Sequence, residues 1–110
     1  MPYDDGLAER LREIYAAQVD VIEKKMFGGL AFMVGGHMSC GVVGHELMVR
    51  VGPQQYETCL KHPDARKMDF TGKALKGFVY VSEEGLESDE DLSRWVGLSL
   101  KFVRSLPAKI

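Results

Sequence analysis

Residues 21–51 read VIEKKMFGGLAFMVGGHMSCGVVGHELMVRV, and the spacing within this stretch decides the fold. Apolar runs at 30–34 and 38–43 flank Gly35-Gly36, and a third at 46–51 follows Gly44-His45. Two-residue loops containing glycine supply the positive φ that primed hairpin turns require, and primed turns match the twist of the strands they join. The pattern predicts three strands in a meander, with an earlier strand at 22–27. In the last strand Leu47, Val49 and Val51 alternate with Glu46, Met48 and Arg50. That alternation sets one row on a core and the other nearer solvent.

Before this stretch, Leu7, Leu11, Ile14 and Tyr15 recur at the spacing of one helix face. Asp4 and Asp5 suit the start of that helix, where negative charge meets the positive end of the peptide dipoles. The helix should end near Gln18. After the stretch, Gly52-Pro53 stops the strand and opens a short helix over 53–60, because proline lacks only an N–H that the first turn leaves unbonded. Tyr56, Cys59 and Leu60 share one side of it, and His62-Pro63 closes it. Residues 61–76 are polar, and 78–81 (Phe-Val-Tyr-Val) read as another strand. Ser88 through Asp91 has the form of a capping box. It introduces a last helix with Leu92, Trp95, Val96, Ser99, Leu100 and Val103 as its apolar stripe, ended by Pro107. The expectation is an α+β fold of order α-β4-α-β(1-2)-α. An antiparallel sheet, a four-strand meander plus at least one later strand, is packed by N-terminal, middle and C-terminal helices. No linker, repeat or low-complexity stretch divides residues 1–110, which are expected to form a single domain.

A chain of 110 residues holds one hydrophobic core, and 45% hydrophobic with 27% charged residues is ordinary globular composition. The net charge of −2 excludes a nucleic-acid binder that is basic overall. Cys40 and Cys59 make neither a disulfide framework nor a C-x-x-C motif. The acidic start is unlike a secretory signal, and no apolar run approaches the roughly 20 residues that span a bilayer. The expected setting is the cytoplasm, away from any membrane.

The residues that could carry chemistry do not assemble into a site. His37 and Cys40 are three apart on an expected strand, which sends them to opposite faces; His45 falls in a turn and His62 at a helix end. Four convergent ligands in close pairs, as structural zinc needs, are absent from the spacing. Ser39, Ser82, Ser88, Ser93, Ser99 and Ser105 lack a glycine-flanked nucleophile elbow. Glu83, Glu84, Glu87, Asp89, Glu90 and Asp91 form an acidic run ahead of a helix, explained by solvation and the helix dipole. The glycine pairs lie between strands, whereas a phosphate loop joins a strand to a helix. No catalytic residue, metal or cofactor is expected, and the chain reads as a non-enzyme. Residues 61–76 gather Lys61, Arg66, Lys67, Lys73 and Lys76 against Asp64 and Asp69, a candidate contact surface should the cations converge.

Lys25-Met26-Phe27-Gly28-Gly29, opening a glycine-punctuated hairpin series, resembles the N-terminal domain of the TfoX/Sxy family. The resemblance continues through 47–51 and 77–81 and to the late helix with Trp95, covering roughly residues 8–104. It is named for bacterial regulators of DNA-uptake competence that act with a cyclic-AMP-responsive transcription factor. Those regulators carry a second, C-terminal domain, and this sequence stops at Ile110, so the resemblance implies a stand-alone N-terminal domain. It implies a regulatory or protein-interaction module with a protein partner and transfers no catalytic residue. Met26, Phe27, Gly28 and Gly29 are its signature, read as structural: the glycines admit a bulge or a close backbone approach, and the other two pack. The alternative is a small-molecule-binding domain with an apolar cleft between sheet and helices, lined by Met26, Phe27, Phe32 and Trp95. Direct nucleic-acid binding is disfavoured by the acidic balance, and an exposed edge strand offers a route to a homodimer.

Overall fold

Helix α1 (Asp5–Tyr15) starts where the Asp4 carboxylate accepts the Leu7 N–H at 3.2 Å. Its buried stripe is Leu7, Ala8, Leu11 and Tyr15. It stops at Tyr15, short of the expected Gln18. The Gln18 N–H bonds the Tyr15 carbonyl in a tightened last turn, and the chain then passes through Asp20 at φ 59°. The computed structural model describes residues 3–26, 28–70 and 73–107, with side chains described at all of these except 68–70 and 73–75.

The expected meander follows as β1 (Val21–Met26), β2 (Gly29–Val34), β3 (His37–Val43) and β4 (Glu46–Arg50). Helix α2 (Pro53–Leu60) carries its proline in the first turn. Two further strands come next, β5 (Ala65–Phe70) and β6 (Lys73–Val81), then a single 3₁₀ turn (Glu83–Leu86) and helix α3 (Asp89–Val103). The segment read as polar therefore contains a strand. β5 is an edge, and an edge strand with Arg66 and Lys67 side by side needs no apolar alternation to hold its place. The six strands form one sheet in the order β1-β2-β3-β4-β6-β5, antiparallel at every pairing. The α+β architecture, its antiparallel sheet and its three helices are as the sequence led us to expect.

All three helices pack on one side of this sheet. Two cross-strand rows supply the sheet's half of the core: Leu30, Val42, Leu47 and Val81 in one, Phe32, Cys40, Val49 and Val79 in the other. Against them lie Leu11 and Tyr15 of α1, Tyr56 and Cys59 of α2, and Leu92, Trp95, Val96 and Val103 of α3. Phe32 stacks on Tyr15 with ring centroids 4.9 Å apart and planes 8° from parallel.

The β2–β3 ladder contains one irregularity. Phe32 pairs with Cys40 but Met33 pairs with Met38, so Ser39 is an extra residue, a β-bulge. Ser39 and its neighbour Cys40 are both fully buried. His37 turns the same way, its Nε2–H donating to the Pro107 carbonyl at 2.6 Å, because a carbonyl can only accept. The expectation that His37 and Cys40 lie on opposite faces is thus corrected: the extra residue shifts the two-residue alternation, and both face the helices.

Helix α3 starts on Ser88, whose hydroxyl accepts the Asp91 N–H at 3.0 Å. Ser88→Ala should lower stability by about 1 kcal/mol, read as a lower urea midpoint with unchanged slope. A midpoint that does not move would mean that water replaces this cap.

Candidate functional site

The helices leave the second face of the sheet to its own side chains. There Met48 and Tyr80 are buried and Met38, Val43 and Phe78 are half-buried, a cluster separate from the main core. The register places Met33 beside Met38 and Ile22 beside Met33. Ile22 is 67% exposed, one of two large apolar side chains so open among the described residues.

One row on this face can be followed across every strand: Lys24, Ala31, Gly41, Met48, Tyr80, Arg66. It has small residues and a methionine in the middle and a cation at each end. A Cβ on Gly41 would stand 2.8 Å from Cε of Met48, the movable end of that side chain, and 3.0 Å from the fixed Leu30 carbonyl oxygen. At the far end the Arg66 guanidinium lies 4.6 Å from the Tyr80 ring centroid and pairs with Glu46. Burial raises the Tyr80 pKa, so its hydroxyl stays protonated.

The residues singled out in the sequence are dispersed. Arg66 and Lys67 are neighbours on a strand and face opposite sides of the sheet. Lys61 caps the C-terminus of α2 and is exposed, as is Lys76 on β6. The side chain of Lys73 lies outside the described residues. Of the signature, Met26 ends β1 and is half-buried, and Phe27 lies outside the described residues. Gly28 takes φ 73°, and Gly29 meets the Val42 backbone. Phe32 and Trp95, expected in an apolar cleft, fill the core between sheet and helices, Trp95 with its ring edge-on to His62.

Two of the serines that lack a nucleophile elbow, Ser39 and Ser99, are buried in a hydrogen-bond network. Tyr15 Oη lies 2.7 Å from Ser39 Oγ, which lies 2.8 Å from Ser99 Oγ, and Ser99 Oγ donates to the Ser39 carbonyl at 2.9 Å. That last bond uses the Ser99 proton. Ser39 must then donate to Ser99, and Tyr15 to Ser39, giving a chain with one direction. Burial raises the Tyr15 pKa and pushes the Cys40 thiol beside it up to about 11. A thiol so held is a poor nucleophile. His37 and Cys40 share a face, yet among the described residues no group of three or more His, Cys, Asp or Glu could hold a metal ion. The network was hidden in sequence because nothing in Met-Ser-Cys-Gly announces an inserted residue.

Two pockets sit at the margins of the sheet. One, of about 310 Å³, is lined by Asp4, Glu83, Glu84 and Glu87 together with Arg10 and His45. There the Asp4 pKa is held down, first by its hydrogen bond with His45 and then by the Leu7 N–H. The other, of about 350 Å³, lies between α2 and α3.

The family model described as the TfoX N-terminal domain matches residues 13–103, which run from the last turn of α1 to the end of α3. Neither the search of curated proteins nor that of solved structures found a match.

Proposed function

The chain belongs to the TfoX N-terminal domain family, and from that premise we propose that it is a non-enzymatic, regulatory protein-interaction module that docks a protein partner on the sheet face its own helices leave uncovered. The observation that supports this reading is the division of the apolar side chains. The core takes one face of the sheet, and a second cluster of Met48, Tyr80, Met38, Val43 and Phe78 lies on the other, with no helix packed over it among the described residues. Methionine-rich surfaces adapt their shape to a partner, and a half-buried apolar patch with polar margins is what a docking face offers. Two cations of that face, Lys24 and Arg66, stand at its two edges and set orientation more than affinity. Lys67, directed to the helix side, is left outside the surface.

The test is position-resolved cross-linking in the native cell. A photoreactive side chain in place of Met38 should capture a discrete partner, and the same group in place of Glu13 on α1 should not. Ile22→Glu and Met33→Glu should reduce the capture at 38 by about tenfold or more while thermal unfolding is little changed. Capture at 13 with none at 38 would move the docking face to the helices and end the proposal.

A further inference from the structure

The chain has six arginines, and five of them are engaged. Arg10 donates to the Leu86 carbonyl, Arg12 forks onto Glu23, Arg66 and Arg94 pair with Glu46 and Asp91, and Arg104 donates to the Val19 carbonyl. Arg50 is the exception. Its guanidinium carbon lies 5.5 Å from the Phe78 ring centroid and 5.4 Å from that of Phe102, between two rings and with no carboxylate or carbonyl partner among the described residues. Burial lowers its pKa. Aromatic faces offset part of the desolvation of a guanidinium but leave its in-plane N–H donors unused.

Its surroundings say what would use them. Phe102 also walls the pocket between α2 and α3, with Val51, Pro53 and Leu98, and Lys101 stands at its edge. No carboxylate lines this pocket, whereas the pocket lined by Asp4 is acidic. Lys76 is one residue from Gly77, which abuts Gly52 at the end of β4. Charge is therefore sorted along the molecule, with cations around an apolar recess at one end.

We infer that this end of the sheet receives an acidic segment of the protein partner, a carboxylate of the segment forking onto Arg50 and an adjacent apolar side chain entering the recess between α2 and α3. The inference rests on the protein-docking reading and names the partner's chemistry. The planar guanidinium matches a carboxylate with two parallel hydrogen bonds, and partial burial strengthens them relative to an open surface pair. Lys101 and Lys76 add attraction that salt screens.

The probe is a synthetic peptide in which glutamates flank a single phenylalanine, titrated into the isotopically labelled full chain and followed by NMR. Shifts should centre on the Arg50 side chain, Val51, Leu98 and Phe102. Arg50→Gln should weaken binding by about tenfold, and Lys101→Glu, an exposed change that spares the fold, by several-fold. Replacing the glutamates by glutamines, or the phenylalanine by alanine, should each abolish most of the response. Absence of shifts at this end, equal binding of the glutamine peptide, or indifference to both substitutions would overturn the inference. If those results came with partner capture at position 38, the docking face would stand and only the acidic segment would fall. If capture at 38 failed as well, the reading beneath it would fall too.

Discussion

Gly29→Ala should destabilise the chain by about 3 kcal/mol, near the upper end of what overpacking costs, while Gly28→Ala should cost about 1 kcal/mol. The two glycines are adjacent in the family signature yet do different jobs. A Cβ on Gly29 would stand 2.0 Å from the Val42 carbonyl oxygen and 3.1 Å from its carbon, both backbone atoms that no rotamer change can remove. The β2–β3 ladder, where Leu30 pairs with Val42, would have to part. Gly28 has nothing within 4 Å of such a Cβ, but its φ of 73° is unfavourable to any side chain. Urea unfolding of the two variants checks the ordering. Equal losses would mean that the sheet can separate at little cost and that the close approach is unimportant.

Tyr15→Ala should cost about 4 kcal/mol, and Tyr15→Phe about 1 kcal/mol. The larger loss comes from the ring, which is 2% exposed and stacked on Phe32 in the middle of the core. The smaller one isolates the hydroxyl. The directed chain from Tyr15 through Ser39 to Ser99 adds a further ordering. Tyr15→Phe vacates one accepting position on Ser39 and leaves both serine protons in use. Ser99→Ala strands the Ser39 proton and frees the Ser39 carbonyl together, a loss of about 2 kcal/mol. If Tyr15→Phe proved the more damaging of the two, the bonds would run in the other direction.

The parts of the fold that were legible in sequence were those set by local chemistry. Gly35-Gly36 and Gly44-His45 mark their hairpins because a tight turn needs positive φ, and Ser88 marks a helix start because a hydroxyl must meet an early N–H. Strand β5 was hidden because Ala-Arg-Lys-Met-Asp-Phe is held by pairing with β6, and its own pattern resembles a loop. The bulge was hidden because Ser39, Cys40 and Gly41 are small enough to face either way, so the alternation cannot be counted through them. The basic set at 61–76 was legible as composition only. Adjacent positions on a strand separate Arg66 from Lys67 whatever the charge count suggests. Arg50 read as one solvent-facing member of an alternating strand. Its isolation became visible only when α3 brought Phe102 to its side.

The extra residue in β3 also makes that strand unequal along its length. Removing Ser39 alone would leave His37, Met38, Cys40, Gly41 and Val42 on the sides they now occupy and would convert the irregular ladder into a regular one. Removing Cys40 would restore the same alternation but take a side chain out of the main core, and removing Gly41 or Val42 would turn a neighbouring residue to the other face. Position 39 is thus where a shortened version of this chain could arise without rebuilding, exchanging a line of oriented protons for plain backbone pairing.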